Sequence, residues 1–88
     1  MQTVLLTEEA IREFRDRIAS RHTIAMAKSE AAGARRIRDS VAGEFPTDEE
    51  AMNACVDAIP GVSREYRRHL RATGRRLLEF FAAKTGVV

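Results

Sequence analysis

Several features that would identify a protein class are missing from this 88-residue sequence. Cys55 is the only cysteine, so no disulfide can form within the chain. No apolar run approaches the ~20 residues that a membrane-spanning helix needs. The first residues include Val4, Leu5 and Leu6 but no basic residue, and acidic residues follow directly, so we expect no signal peptide. These absences predict a cytoplasmic protein with no membrane partner.

Motifs for catalysis and metal binding are missing as well. His22 and His69 are the only histidines, and no CxxC, HExxH or ExxH spacing accompanies them. The glycines are isolated and form no phosphate-binding loop. Cys55 falls on the apolar face of a predicted helix, where a buried thiol is the ordinary role. We therefore predict a protein that is not an enzyme, with no catalytic residue, no metal ligand, no cofactor and no small-molecule substrate.

The basic residues are almost all arginine. Only Lys28 and Lys84 are lysines among the 15 basic residues, and 13 acidic residues leave a net charge of +2. Such a small net charge does not require a polyanionic partner, so the placement of the arginines matters more than their number. The arginine bias fits either phosphate recognition or the codon usage of a GC-rich genome.

The spacing of apolar residues predicts an all-α fold, a small bundle of three or four helices in a single domain over 1–88. Thr7 precedes two glutamates and is a suitable cap for the first helix. Beyond residue 20 the apolar residues move to a roughly opposite face. No proline separates these segments, so one long helix is compatible with the sequence. Two helices, about 8–20 and 24–42, are the favoured alternative, with a break between them.

Turn residues divide the second half of the chain. Pro46 stops the preceding helix, and Thr47-Asp48-Glu49-Glu50 has the form of a capping box that begins a helix over about 48–59. Pro60-Gly61 ends that helix. Ser63 then caps a last helix over about 63–84, and Gly86 is suited to its C-terminal cap. No strand is expected.

The last predicted helix has two contrasting faces. At about 100° per residue, one arc is largely apolar and is predicted to lie in the core: Tyr66, Leu70, Thr73, Leu77, Phe80 and Phe81. The opposite arc carries arginines over about 16 Å of helix. We call these residues the arginine stripe: Arg64, Arg67, Arg68, Arg71 and Arg75. No acidic residue interrupts the stripe, which makes it the candidate binding site for nucleic-acid phosphates or for an acidic protein.

Residues 61–70 resemble the turn and the early recognition helix of helix-turn-helix proteins. The resemblance rests on Gly61-Val62-Ser63 ahead of a helix that reaches Leu70, with another predicted helix before the turn. It implies that four arginines would face the major groove of DNA or its phosphates, namely Arg64, Arg67, Arg68 and Arg71. Three residues depart from the pattern, namely Asp57, Pro60 and Arg67. The chain is therefore not assigned to that family.

Two functions are compatible with the sequence. The first, which is favoured, is a helical interaction or assembly module that acts through protein–protein contacts and associates with itself through the alanine-rich first half. Small residues in Ala31-Ala32-Gly33-Ala34 would permit close approach of another helix. The alternative is a small nucleic-acid-binding protein that uses the arginine stripe.

Overall fold

The computed structural model describes residues 2–85. Within them, four helices pack together beside a small two-stranded sheet. In chain order the elements are β1 (Thr3–Leu5), α1 (Glu8–Ala19), α2 (Ile24–Ser40), β2 (Glu44–Pro46), α3 (Glu49–Asp57) and α4 (Arg64–Thr85). The predicted helical bundle is confirmed. The prediction that the chain contains no strand is wrong.

The first half of the chain is two helices, not one. Thr7 caps α1, because its hydroxyl oxygen accepts a hydrogen bond from the Ala10 N–H at 3.0 Å. Thr23 caps α2 in the same way, accepting from the Met26 N–H at 3.1 Å. Two separate caps, each satisfying N–H groups that a helix leaves free at its start, explain why the break occurs without a proline.

The strands are short and lie far apart in the sequence. β1 pairs antiparallel with β2, with Val4 opposite Phe45. The ladder extends to Gln2, whose carbonyl accepts from the Thr47 N–H at 3.1 Å, and to Leu6, whose N–H donates to the Gly43 carbonyl at 2.7 Å. Three-residue strands are too short to show the alternating pattern by which strands are predicted. β1 and β2 are also separated by two helices, so no hairpin pattern indicates that they pair.

The cap of α3 differs from the predicted one. Asp48 is the capping residue, with its carboxylate accepting from the Ala51 N–H at 2.8 Å. Thr47 instead continues the pairing with β1, which withdraws it from the capping position. Ser63 caps α4 as predicted, accepting from the Tyr66 N–H at 3.1 Å. The predicted cap at Gly86 lies outside the described residues.

The core lies between the helices and beneath the sheet. The largest fully buried apolar side chains come from all six elements or their borders: Leu6, Ile11, Phe14, Ile37, Phe45, Met52, Val56, Leu70 and Leu77. Tyr66 was predicted to be buried but is 37% exposed. It lies in the first turn of α4, ahead of Leu70, and its ring rests against His69 with centroids 5.8 Å apart.

The alanine-rich part of α2 packs inside the chain. A Cβ atom added to Gly33 would lie 3.2 Å from the Thr73 hydroxyl oxygen of α4. Ala27, Ala31 and Ala34 on the same helix are buried. Small side chains therefore do permit a close helix approach here, and the helix that approaches is α4. Most of the small-residue surface expected to bind a second copy is covered within the monomer.

Glu8 joins the start of α1 to α2. Arg35 donates to its Oε1 atom from Nε at 3.0 Å and from Nη2 at 2.7 Å, and Arg38 donates to Oε2 at 2.6 Å. The hydrogen bond from Arg35 is the main reason that the pKa of Glu8 falls from 4.5 to about 2, with Arg38 adding to the effect. The same carboxylate raises the pKa of Arg35.

The Glu8→Gln variant is expected to be less sensitive to acid than the wild type. The folded-state pKa lies below the unfolded value, so Glu8 contributes stability above pH 4.5 that disappears as the pH falls toward 2. The melting temperature of the variant should therefore be lower at neutral pH and converge with that of the wild type near pH 2. Circular dichroism melts across this pH range measure the difference.

Glu9→Gln is the matched control, because Glu9 is exposed and has no ion pair among residues 2–85. It should reproduce the wild-type pH dependence. Parallel curves for Glu8→Gln and the wild type would contradict the assignment.

Candidate functional site

The arginine stripe lies on the side of α4 that faces away from the core. Its four outermost members, Arg64, Arg68, Arg71 and Arg75, are exposed, and Arg67 is half-buried. The structure brings Arg64, Arg67, Arg68 and Arg71 together around one shallow concavity of about 170 Å³. Arg75 lies a turn further along the helix and does not line it. The stripe is thus a patch at the N-terminal end of α4 with an extension along the helix.

Two members of the stripe hold the end of α3. Arg67 donates to the carbonyl oxygens of Val56 and Asp57, both at 2.8 Å. Carbonyls in the last turn of a helix have no partner within it and carry the negative end of its dipole, so a cation there is stabilising. Arg71 donates to the Asp57 carboxylate from Nε at 2.9 Å and from Nη2 at 2.5 Å. These bonds fix α3 against α4 and fix the two guanidinium groups in place.

The other three members have no such role. Arg64, Arg68 and Arg75 form no hydrogen bond and no ion pair through their side chains within residues 2–85. Arg64 is also the first residue of α4, where the free N–H groups add positive potential. A positive charge that is exposed and unpaired remains available to an external anion.

A further arginine, which the sequence reasoning left out of the stripe, lies beside the α3–α4 turn. Arg36 of α2 donates to the Pro60 carbonyl at 3.3 Å and is exposed. The sequence gives no sign that Arg36 lies beside this turn, because the hydrogen bond joins residues 24 positions apart. Nearby carboxylates are few: Asp57 is already paired with Arg71, and Glu65 lies to one side of the stripe. The patch therefore keeps a positive charge.

A second polar cluster is buried between α2 and α4. Glu30 is 2% exposed, and its carboxylate accepts from Thr73 Oγ1 at 3.0 Å and from Arg76 Nη1 at 2.6 Å. His69 Nδ1 lies 3.5 Å from the same carboxylate. Thr73 is fully buried. The Glu30 carboxylate and the Thr73 hydroxyl are too deeply buried for a substrate to reach, and their contacts join the two helices.

Comparison with known proteins does not place the chain in a family. No protein-family model, curated protein or solved structure matches it. Of the helices within residues 2–85, none is long and apolar enough to cross a bilayer. Over the same residues, no three His, Cys, Asp or Glu side chains are placed to hold a metal ion together. Of the arginine stripe predicted from the sequence, the structure gathers four members around one concavity, and Arg75 lies a turn beyond them.

Proposed function

We propose that this protein is a small non-enzymatic module that binds nucleic acid through the arginine stripe. The observation that supports this proposal best is the exposure of Arg64, Arg68 and Arg75 on one side of α4 without any carboxylate partner in residues 2–85. Arg67 and Arg71 support it further. Because α3 already holds their guanidinium groups, less side-chain freedom is lost when a phosphate approaches.

The dimensions of the stripe suit a phosphate backbone. Arg64 and Arg75 are separated by about 16 Å along the helix. Duplex DNA carries roughly one negative charge per 1.7 Å of its axis, so a helix lying along or across the backbone meets several phosphates over this length. The stripe contains no residue other than arginine, and the neighbouring exposed residues offer no asparagine or glutamine for reading adenine. Phosphate contacts alone give affinity with little sequence preference and a strong dependence on salt.

The Arg64→Glu/Arg68→Glu double variant tests the proposal. We expect it to weaken binding to a fluorescent DNA duplex of arbitrary sequence by about 100-fold at low salt, on the basis of about 1.4 kcal/mol for each lost phosphate contact. The slope of log affinity against log salt concentration should also fall by about 2, since each phosphate contact contributes about 1. Fluorescence anisotropy over a salt series gives both quantities.

Arg12→Glu/Arg21→Glu is the matched control. Both residues are exposed, their side chains have no hydrogen bond within residues 2–85, and the change in net charge is the same. If this control loses as much affinity as the stripe variant, overall charge and not the stripe governs binding. If the wild type fails to bind duplex DNA even at low salt, the proposed function is wrong.

A further inference from the structure

In the part of the chain that the structure describes, the outer edge of β1 is an open strand edge. β2, on its other side, is covered: Phe45 and Pro46 are buried, and β2 packs against both α2 and α3. Among residues 2–85, β1 has no comparable cover, and its main neighbour is β2. Leu5 at this edge is 69% exposed. Natural proteins ordinarily protect such edges with lysine, proline or a covering element, and β1 has none of these.

The register identifies which backbone groups are available at this edge. Hydrogen bonds link Thr47 to Gln2 and Leu6 to Gly43. In an antiparallel ladder the hydrogen-bonded pairs alternate, so Val4 also bonds to β2, while the N–H and C=O groups of Thr3 and Leu5 point outward. Two donors and two acceptors therefore line the open edge within residues 3–5.

We propose that β1 pairs with β1 of a second copy of this chain, antiparallel about a two-fold axis at Val4. Thr3 of each copy then lies opposite Leu5 of the other, and each of these pairs exchanges both N–H···O bonds. The result is a continuous four-stranded sheet in the order β2-β1-β1-β2. This pairing uses no residue of the arginine stripe, so it does not depend on the proposed function.

The groove beside the open edge has the size and chemistry for the occupant. A cavity of about 390 Å³ lies between β1, α1 and the end of α4, and its lining includes Val4, Ala10 and Phe81. Val4 faces the helices, so the two-fold axis places Val4 of the second copy on the same side of the sheet, over this cavity. Glu13 and Lys84 at the rim pair with each other at 2.7 Å. Glu9 also lines the cavity and has no ion pair within residues 2–85, so the groove favours a segment without acidic side chains. Residues 2–7 carry no charged side chain.

A second copy fits the edge better than an unrelated extended peptide. A two-stranded ribbon of three-residue strands is marginal by itself, whereas four strands packed on helices form a stable sheet. Antiparallel pairing of identical strands closes on itself with two-fold symmetry and leaves no further β1 edge open. Pairing through β1 also replaces the alanine-rich surface as the route to self-association, since most of that surface is covered within the monomer.

Sedimentation velocity over a concentration series tests the dimer, with Leu5→Lys as the disrupting variant. We expect the wild type to move from monomer to dimer and Leu5→Lys to raise the dissociation constant at least about tenfold, because lysine at a strand edge opposes pairing. Ile24→Lys is the matched control, since Ile24 is 68% exposed at the start of α2. It should associate as the wild type does. A strict monomer up to about 1 mM, or equal effects of the two lysines, would overturn the proposal.

Disulfide trapping in a Cys55→Ala background tests the register. In the proposed dimer the two Val4 Cα atoms are about 4.5 Å apart, which a disulfide can span. The two Leu5 residues are diagonal neighbours at about 7–8 Å, beyond its usual reach. We expect Val4→Cys to form a covalent dimer under mild oxidation and Leu5→Cys to remain monomeric, although Leu5 is the more exposed residue. The reverse order of reactivity would show that the two-fold axis is not at Val4.

Discussion

Replacing Glu30 with alanine is expected to lower the free energy of unfolding by about 2–4 kcal/mol. Removing one member of a buried ion pair commonly costs about 3–5 kcal/mol. The loss expected here is smaller because Arg76 is half-exposed and its guanidinium group can turn to water. Thr73 cannot do so, because it is fully buried and loses the acceptor of its hydroxyl. For a domain of this size the melting temperature should fall by roughly 10–25 °C.

Two further variants show whether this loss comes from the buried contacts of Glu30. Glu30→Gln keeps the size of the side chain and an oxygen for Thr73 but removes the charge. It should therefore lower the free energy of unfolding by less than Glu30→Ala does. Glu79→Ala removes one negative charge from the exposed side of α4 and should change stability by about 0.5 kcal/mol or less. Urea denaturation gives the three values. Equal results for Glu30→Ala and Glu79→Ala would contradict a joining role for Glu30.

The Gly74→Ala variant is expected to be less stable than the wild type by about 2 kcal/mol, although alanine is the better helix former. A Cβ atom at position 74 would lie 2.3 Å from Met52 Sδ, and Met52 is fully buried in α3. Overpacking of this kind costs about 1–3 kcal/mol, and so short a distance points to the upper end. The gain of about 1 kcal/mol from helix propensity offsets only part of it.

A double-mutant cycle with Met52→Ala isolates this overlap. Met52→Ala by itself should be destabilising, because it leaves a cavity in the core. In that background, Gly74→Ala should become neutral or stabilising, since the sulfur atom that it would meet is gone. Gly33→Ala is the milder comparison, because a Cβ atom there approaches no neighbour closer than 3.2 Å. If Gly74→Ala is equally destabilising with and without Met52, the overlap is not the cause.

The parts of the fold that were predicted correctly are those determined locally. Thr7 and Ser63 satisfy N–H groups three residues ahead of them, so their capping role is visible in a few consecutive letters. Leu70 and Leu77 lie on the apolar arc of one helix and are buried as expected. The helical period of the apolar residues shows which of them share a face of a helix, and this is sufficient to predict a helical bundle.

The parts that were not predicted depend on contacts between distant residues. Thr47 and Asp48 both have side chains able to cap α3, and only the pairing of Thr47 with Gln2 decides between them. Glu30 lies close to Arg35 and Arg36 in the sequence, but it binds Arg76, which is 46 residues away. The sequence contains no local sign of either contact.

The candidate site shows the same division. Helical spacing predicts that five arginines share one face of α4, and it cannot tell which of them are engaged elsewhere. Arg67 and Arg71 are engaged because α3 ends beside them, with its last carbonyls and the Asp57 carboxylate within reach. The departure of Arg67 from the helix-turn-helix pattern has a structural reason here, since this side chain caps the preceding helix.

The pairing of β1 with β2 also affects the order of events in folding. Each helix can form from contacts between residues a few positions apart, whereas Val4 must meet Phe45 across about 40 residues. Closing a long loop carries an entropic cost that is recovered only once distant contacts form. The pairing of two three-residue strands offsets little of this entropic cost by itself. We therefore expect the pairing of β1 with β2, and with it the open edge of β1, to form after α1 has packed against α2.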